Sequence, residues 1–500
     1  MSDARRNRDR RALILLFISG FLAIQIHWAF AALGIWIIIL GQLEHRGVLD
    51  RWNATRVLGG ILMIRTKRGQ KALEKIAKPR RAWRIFGEIS LWTCYGAMFL
   101  ITGMLLLSII SAIMYGVPKS DAPPSQMILI PGVNPIIPFW WPALAVIGAL
   151  VIHEYGHALQ ARAHGMRVRS FGLLMVGPLP LGAFAEPEAQ ELFKSPRRER
   201  VRMFAAGPAI NLYAALFTWL ILGALATQFA AADPGVHASA IVEGAPADEA
   251  EIGPWEIITH FDGEEVTTAQ QLSDEIGKYE AGDEVTLRVL SRIEEGERTA
   301  REVNVTLADR HEYYLAQENL TAAERDWVEK NVKPGDAFLG VSGMASGTVG
   351  IDSIAGPLSE SNDAPILYKG LGALVQPIVI ISTPIDHGGQ IMDPHEDEYL
   401  EADGWLGELL GKQIMIAIMT CLFWFIWMNL GLGFANLIPI IPFDGGHLMR
   451  DLLHWIAETV NRFTKSPHPL KVEPFVQRIS SLSSLILFFV LLMLLFAQYI

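Results

Sequence analysis

This 500-residue chain is 51% hydrophobic and only 19% charged, with a mean hydropathy of +0.29. Soluble domains carry roughly 25% charged residues, so the balance excludes a disordered chain and points to membrane rather than a purely soluble enzyme. The formal net charge of -10 is the reverse of the basic surplus that marks nucleic-acid binders. The two cysteines, Cys94 and Cys421, both lie in apolar runs, which excludes a disulfide framework and a cysteine zinc finger.

A helix needs about 20 predominantly apolar residues to cross a bilayer. Six runs qualify: 12–41, 87–115, 136–161, 201–229, 413–435 and 479–500. The first follows a basic start like that of a signal peptide, but it is too long for an h-region and has no clear cleavage site. It is read as a retained membrane segment, either a single span or a shallow hairpin around Gly34. His27, mid-run, is read as a packed histidine, with a gate or extra metal ligand as the alternative.

Charge orients the runs. Twelve Lys or Arg stand against three acids between 42 and 84, and 25 acids against nine Lys or Arg between 231 and 350. Positive loops favour the cytoplasm. Placing 42–84 inside puts the basic stretch 194–202 inside as well, and the acidic region 231–400 outside.

Residues 231–310 read as a soluble α+β module. ASAIV, EIITHF, EVTLRVL and REVNVTL are short runs of strand character. TTAQQLSDEIGKY between them reads as a helix, with Thr267 or Thr268 as N-cap. VEGAPADEAEI followed by FDGEEV resembles a PDZ domain, although Pro254 and Trp255 stand where that pattern carries a Gly-Asp pair. The alternative is an unrelated small acidic domain. Residues 311–410 read as an acidic connector without a nameable fold.

The chemistry sits at the end of the third run. His153-Glu154-Tyr155-Gly156-His157 is an H-E-x-x-H motif. Positions i and i+4 share one helix face, so both imidazoles reach one zinc ion, with the glutamate beside them to hold the attacking water. Ionisable groups at a span are costly and mark function by default. Zinc then needs a third protein ligand and an open position. A metzincin continuation fails, because Gln160 and Ala163 occupy its glycine and histidine positions. His164 lies two turns on, at the wrong angle. Glu186, Glu188 and Glu191 are formally available but read as a polar loop. Asp444, in Asn436-Leu-Ile-Pro439-Ile-Ile-Pro442-Phe-Asp444-Gly445-Gly446-His447, is the better candidate. Prolines break a helix there, and irregular backbone at membrane depth is tolerated where it lines a cavity in the protein. His447 reads as a hydrogen-bonding neighbour of the metal or as plain packing.

Here the chain resembles the site-2 protease family of intramembrane zinc metalloproteases. That family carries H-E-x-x-H, then G-P-x-x-N, matched by Gly207-Pro208-Ala209-Ile210-Asn211, and then N-x-x-P-x-x-x-x-D-G, matched from Asn436 to Gly445. The resemblance covers 136–229 and 413–447, and a PDZ insertion between those halves is common in one branch of the family. It implies a mostly α integral membrane protein of about six transmembrane helices, with a re-entrant β-hairpin over 168–186 and the inserted PDZ-like domain. The segments are then 1–118, a catalytic half 119–230, the module 231–310, the connector 311–410 and a second catalytic half 411–500.

The resemblance further implies one Zn2+ per chain on His153, His157 and Asp444, with Glu154 as catalytic base. Asn211 and Asn436 would steady substrate backbone or oxyanion, or else make helix-packing hydrogen bonds. The expected activity is hydrolysis within transmembrane segments of other membrane proteins. The expected partners are those substrates, the lipid bilayer and peptide C-termini at the PDZ-like domain, with no nucleic acid. The expected setting is a prokaryotic plasma membrane, with the active site toward the cytoplasm. The alternative is an inactive membrane scaffold or chaperone keeping a structural zinc site; a zinc transporter is weaker, since Glu154 is what water activation needs.

Overall fold

The computed structural model describes residues 2–25, 29–119, 123, 126, 131–132, 134–177, 179–293, 297–317, 320–359, 362, 364–463 and 469–499. The chain forms two compact units, one of residues 1–219 with 421–500 and the other of residues 220–420.

The first unit opens with helices α1 (Ser2–Gln25) and α2 (Ala29–His45). They pack on each other, with Gly34 of α2 facing Ser19 and Leu16 of α1. The run 12–41 is therefore two helices and not a single span. Gly34 lies inside α2, and the connection between the helices, with His27, lies outside the described residues. Buried Arg56 holds this corner together through Asp9 and, at 2.7 Å, Glu44.

The basic segment 42–84 is more than a loop. It forms strands β1 (Ala54–Val57) and β2 (Ile61–Thr66) before helix α3 (Arg80–Tyr115). After α4 (Trp140–Ala163) come β3 (Val168–Val176) and β4 (Leu179–Pro187), then α5 (Arg197–Ala226). The four strands make one antiparallel sheet in the order β1-β2-β3-β4, with Ile64 opposite Leu173 and Leu173 opposite Ala183.

In α4, the buried residues Ala145, Ala149, His153, Gly156 and Gln160 recur at helical spacing. That is one stripe, and it carries the first histidine into the interior. Close packing is bought by small residues. A Cβ on Gly156 would stand 2.7 Å from the Ala206 carbonyl of α5, and one on Gly148 would stand 2.9 Å from Phe425.

The second unit is built on an antiparallel sheet of β5 (Val236–Ile241), β6 (Ile257–Phe261), β7 (Glu284–Leu290), β8 (Ala300–Thr306) and β9 (Val341–Ser346), with helix α6 (Ala269–Ile276) between β6 and β7. The order is β8-β7-β6-β5-β9, and the two-residue strand Glu264–Glu265 also pairs with β6. Val285, Leu287 and Val289 alternate inward and meet Phe261, Leu272 and Val305 in its core. Thr268 caps α6 in a full capping box with Gln271. The sheet takes β9 from beyond residue 310. The stretch 311–410 holds further structure, including α7 (Ile366–Val379) and α8 (Gly404–Leu410).

Three helices close the chain: α9 (Lys412–Leu437), α10 (Asp444–Phe463) and α11 (Pro469–Ala497). Among the described residues, five helical stretches are long and apolar enough to cross a membrane: α3, α4, α5, α9 and residues Val472–Ala497 of α11. The chain is thus a mostly helical membrane protein.

Candidate metal centre

The first two site residues come from α4, His153 from its buried stripe and His157 from the partly buried position one turn on. His153 and His157 lie one turn apart, and their Nε2 atoms are 3.2 Å from each other. The third arrives from a distant part of the chain. Helix α9 ends at Leu437, the prolines at 439 and 442 prevent its continuation, and the chain turns into α10 at Asp444. The turn is too tight for side chains at the next two positions. A Cβ on Gly445 would lie 2.4 Å from the Leu437 carbonyl oxygen, and one on Gly446 would lie 2.6 Å from the Ile441 nitrogen. The glycine pair thereby lets Asp444 reach inward, with Oδ2 at 3.2 Å from His153 Nε2 and 3.3 Å from His157 Nε2.

These three atoms form a nearly equilateral triangle. Ligands bound tetrahedrally at zinc's usual distances of about 2.0–2.1 Å would stand roughly 3.3 Å apart, which is the observed spacing. The protonation pattern also suits a metal. Nδ1 of His157 lies 2.7 Å from the Met203 carbonyl. A carbonyl only accepts, so Nδ1 carries the proton and Nε2 presents a lone pair. A Cβ on Gly207 would fall 2.3 Å from His157 Nε2 and 2.9 Å from His153 Nε2. Glycine at 207 therefore keeps open the space in front of both nitrogens.

Glu154 offers a carboxylate oxygen within 4.8 Å of the ligand atoms of both histidines. Its Oε2 accepts a 2.6 Å hydrogen bond from the backbone N–H of Ala185 on β4. The hairpin thus fixes the carboxylate. Between them lies an apolar cavity of about 240 Å³ lined by Ile64, Val151, Tyr155, Phe171, Leu173 and Phe184 among others, with Glu154 at its wall. Tyr155 stacks on Phe171 at 4.9 Å, which fixes the cavity between helix and strand.

The remaining sequence candidates separate. Asn211 is fully buried, and its Nδ2 donates to the Ala149 carbonyl at 3.4 Å, one turn before His153. Asn436 donates to the Leu432 carbonyl of its own helix at 3.0 Å. Asn211 thus bonds across to α4, while the Asn436 bond stays within its own helix. His164 lies 3.4 Å from Glu199 and stands apart from the triangle. Of the three glutamates read as a polar loop, Glu188 alone joins two elements: Glu186 lies in β4 and binds the Ser170 hydroxyl, Glu191 lies in a short helix, Ala189–Lys194, and holds Arg167, and Glu188 between them holds Arg169. His447 stacks on Phe204 at 4.3 Å. The sequence reading missed Met203 and Ala185, whose contributions are backbone atoms with no signature in residue type.

Comparison with known proteins completes the picture. The profile of Peptidase family M50 matches residues 141–487. The chain belongs to peptidase family M50, the site-2 protease family. It is accordingly a peptidase of the zinc metalloprotease class. An uncharacterized protein of Methanocaldococcus jannaschii is 32% identical over 183 residues, which are 36% of this chain and 46% of that protein, so the chain matches less than half of that relative's length. A putative zinc metalloprotease of Mesorhizobium japonicum is 23% identical over 353 residues, 62% of this chain and 86% of that protein. The zinc metalloprotease Rip1 of Mycolicibacterium smegmatis is 25% identical over 363 residues, 61% of this chain and 83% of that protein.

Proposed function

We propose that this M50 peptidase hydrolyses peptide bonds within or next to transmembrane segments of other membrane proteins, using one zinc ion held by His153, His157 and Asp444. The triangle of ligand atoms with Glu154 beside it, among helices of membrane length, carries this reading. Zinc held there would supply a Lewis acid for the scissile carbonyl and would lower the pKa of the attacking water toward about 7. Glu154 accepts the proton of the attacking water and delivers it to the leaving amine. Its bond to Ala185 holds one carboxylate oxygen, leaving the other for the proton. Asn211 orients α5 on the α4 backbone one turn before His153, while Asn436 bonds within its own helix.

A helical substrate must unwind before its backbone is exposed to attack. The hairpin β3–β4 offers strand backbone for the unwound segment to pair with, re-entering the membrane beside the site. The apolar cavity accepts one substrate side chain, and its lining favours an apolar one. In the second unit, β9 is an edge strand. A cavity of about 450 Å³ runs along it from Ser273, Ile276 and Tyr279 to Leu339 and Met344, with Arg310 at its wall. This PDZ-like arrangement suits an extended peptide ending in a carboxylate. The charge map supports an active site toward the cytoplasm of a prokaryotic plasma membrane and a PDZ-like domain outside it.

The test is cleavage in liposomes of a panel of single-span proteins by the wild type and by Glu154→Gln, with metal content measured on the same samples. Wild-type cleavage within the span, lost in the variant while zinc stays bound and lost on chelation, is the expected result. Bound zinc with no cleavage across the panel would instead favour a scaffold.

A further inference from the structure

Helix α7 is built inside out for a helix in water. Its bulky apolar residues Leu367, Leu371, Leu374, Val375 and Ile378 are exposed, by 41% to 69%. The face turned to the protein is small or polar: Gly372 meets Pro357, and buried Gln376 donates to the Ser353 carbonyl and packs on Gly356. A surface helix in water does the reverse, and monomeric soluble proteins rarely expose so continuous an apolar face. Charge does not relieve it, since Lys369 is the one charged residue between 364 and 385. Small residues on the protein side and bulky apolar ones outward is the pattern of helices in lipid.

The fold sets this helix beside the end of a membrane-length helix. The single turn Gly356–Leu358 that α7 packs against is itself seated on span α5, where a Cβ on Gly223 would meet Leu358 Cδ1 at 2.8 Å. Gly223 lies in the last turn of that span. Helix α8 shows the same exposure, with Trp405 and Leu409 each 70% exposed immediately before span α9 begins at Lys412. Exposed aromatic residues at span ends are typical of the membrane–water boundary. The 14 residues of α7 rise only about 21 Å at 1.5 Å each, too short for a hydrocarbon core of about 30 Å.

We infer that α7 is a monotopic membrane helix, lying along the leaflet at the α5 exit with Leu367, Leu371, Leu374 and Ile378 in the acyl chains, and that it anchors the inserted unit to the bilayer. The inference rests on the spans crossing that bilayer. Such a helix needs buried apolar area rather than length.

The experiment uses the full chain in liposomes, with Cys94 and Cys421 changed to alanine and a nitroxide attached through a single cysteine at Leu371, Leu374, Leu485 or Glu302. Collision with oxygen reports lipid, and collision with a water-soluble nickel chelate reports water. Leu371 and Leu374 are expected to favour oxygen over nickel several-fold, as Leu485 on the last span does, with the ratio reversed at Glu302 on the sheet. Nickel access at Leu371 and Leu374 while Leu485 stays oxygen-rich overturns the inference but leaves the spans standing. Nickel access at Leu485 overturns the membrane reading itself. Exclusion of both reagents from Leu371 and Leu374, alone or only with a single-span substrate added, also overturns it, because protein then covers the helix. On the unmodified chain, a lipid carrying a diazirine in its acyl chain should label peptides from 366–379; labelling absent there and present in 472–497 would refute the anchor without any substitution.

Discussion

The five membrane-length helices are of two kinds. In α4, α5 and α9, 44% of the most apolar window is buried against protein, while in α3 and α11 the share is 6% and 11%. The chemistry follows burial and not apolarity. The least apolar of the five, α4, carries His153, Glu154 and His157; α5 supplies Met203 and Gly207, and α9 delivers the chain to Asp444. The two most apolar helices supply none of these and turn their bulk outward. Where an outer helix turns away from protein, as α3 does beyond Met98, large apolar side chains suffice. An inner helix answers to its neighbours atom by atom, so glycine, alanine and polar groups replace leucine.

The largest test of this division is at the site. Glu154→Gln should lower hydrolysis about a thousand-fold, within the range of general-base removal, with zinc retained. Asp444→Ala should instead empty the site, which metal analysis would show; full occupancy in that variant would remove Asp444 from the ligand set. One methyl group then separates inner from outer spans. Gly207→Ala puts a Cβ against His157 Nε2, whereas Gly103→Ala on α3 meets nothing within 4 Å. The first should lose both zinc and cleavage, and the second should match wild type in both. Equal behaviour of the two would end the distinction.

The sheet of the second unit adds a third case, in which apolar residues turn inward to a core of their own. Phe261 is fully buried in its core, and Phe261→Ala should cost about 3–5 kcal/mol. Thermal unfolding followed with protease should show the inserted unit melting early while the zinc content of the first unit persists.

A smaller effect depends on pH. Burial, with Asp393 beside it, raises the Glu396 carboxyl to about 7. A raised acid keeps its proton in the folded unit after the unfolded chain has released it. Stability of the unit should therefore be greatest below about pH 4.5, fall as pH rises toward 7 and level off above. Because the carboxyl still meets some solvent, the loss should be about 1–2 kcal/mol. Glu396→Gln should flatten the profile, and a wild-type profile already flat between those pH values would refute the assignment. The smallest change is Thr268→Ala, which removes one cap from α6 and should cost about 1 kcal/mol by the same melting experiment.

Local patterns were legible in the sequence because their cause is local. The i, i+4 spacing of His153 and His157, the alternation of EVTLRVL in β7 and the Thr268 cap each follow from geometry within a few residues. So did the helical character of the apolar runs, although composition does not show that 12–41 holds parts of two helices. The pairing of β2 with β3 was not legible, since it joins residues about a hundred apart and the basic charges of 42–84 concealed its strands. Nor was α7, whose apolar face reads like any core helix until the fold shows which side is covered.

The sequence by itself determined the residue types on which the proposed chemistry rests: two imidazoles one turn apart, a glutamate between them and a later aspartate, on a chain apolar enough for membrane. Only the tertiary structure decided that Asp444 stands 3.2 Å from His153, that Gly207 clears the space before both nitrogens and that Ala185 holds the base. Those contacts join segments with no period or motif in common, and close packing of distant backbone is the one force that can set them.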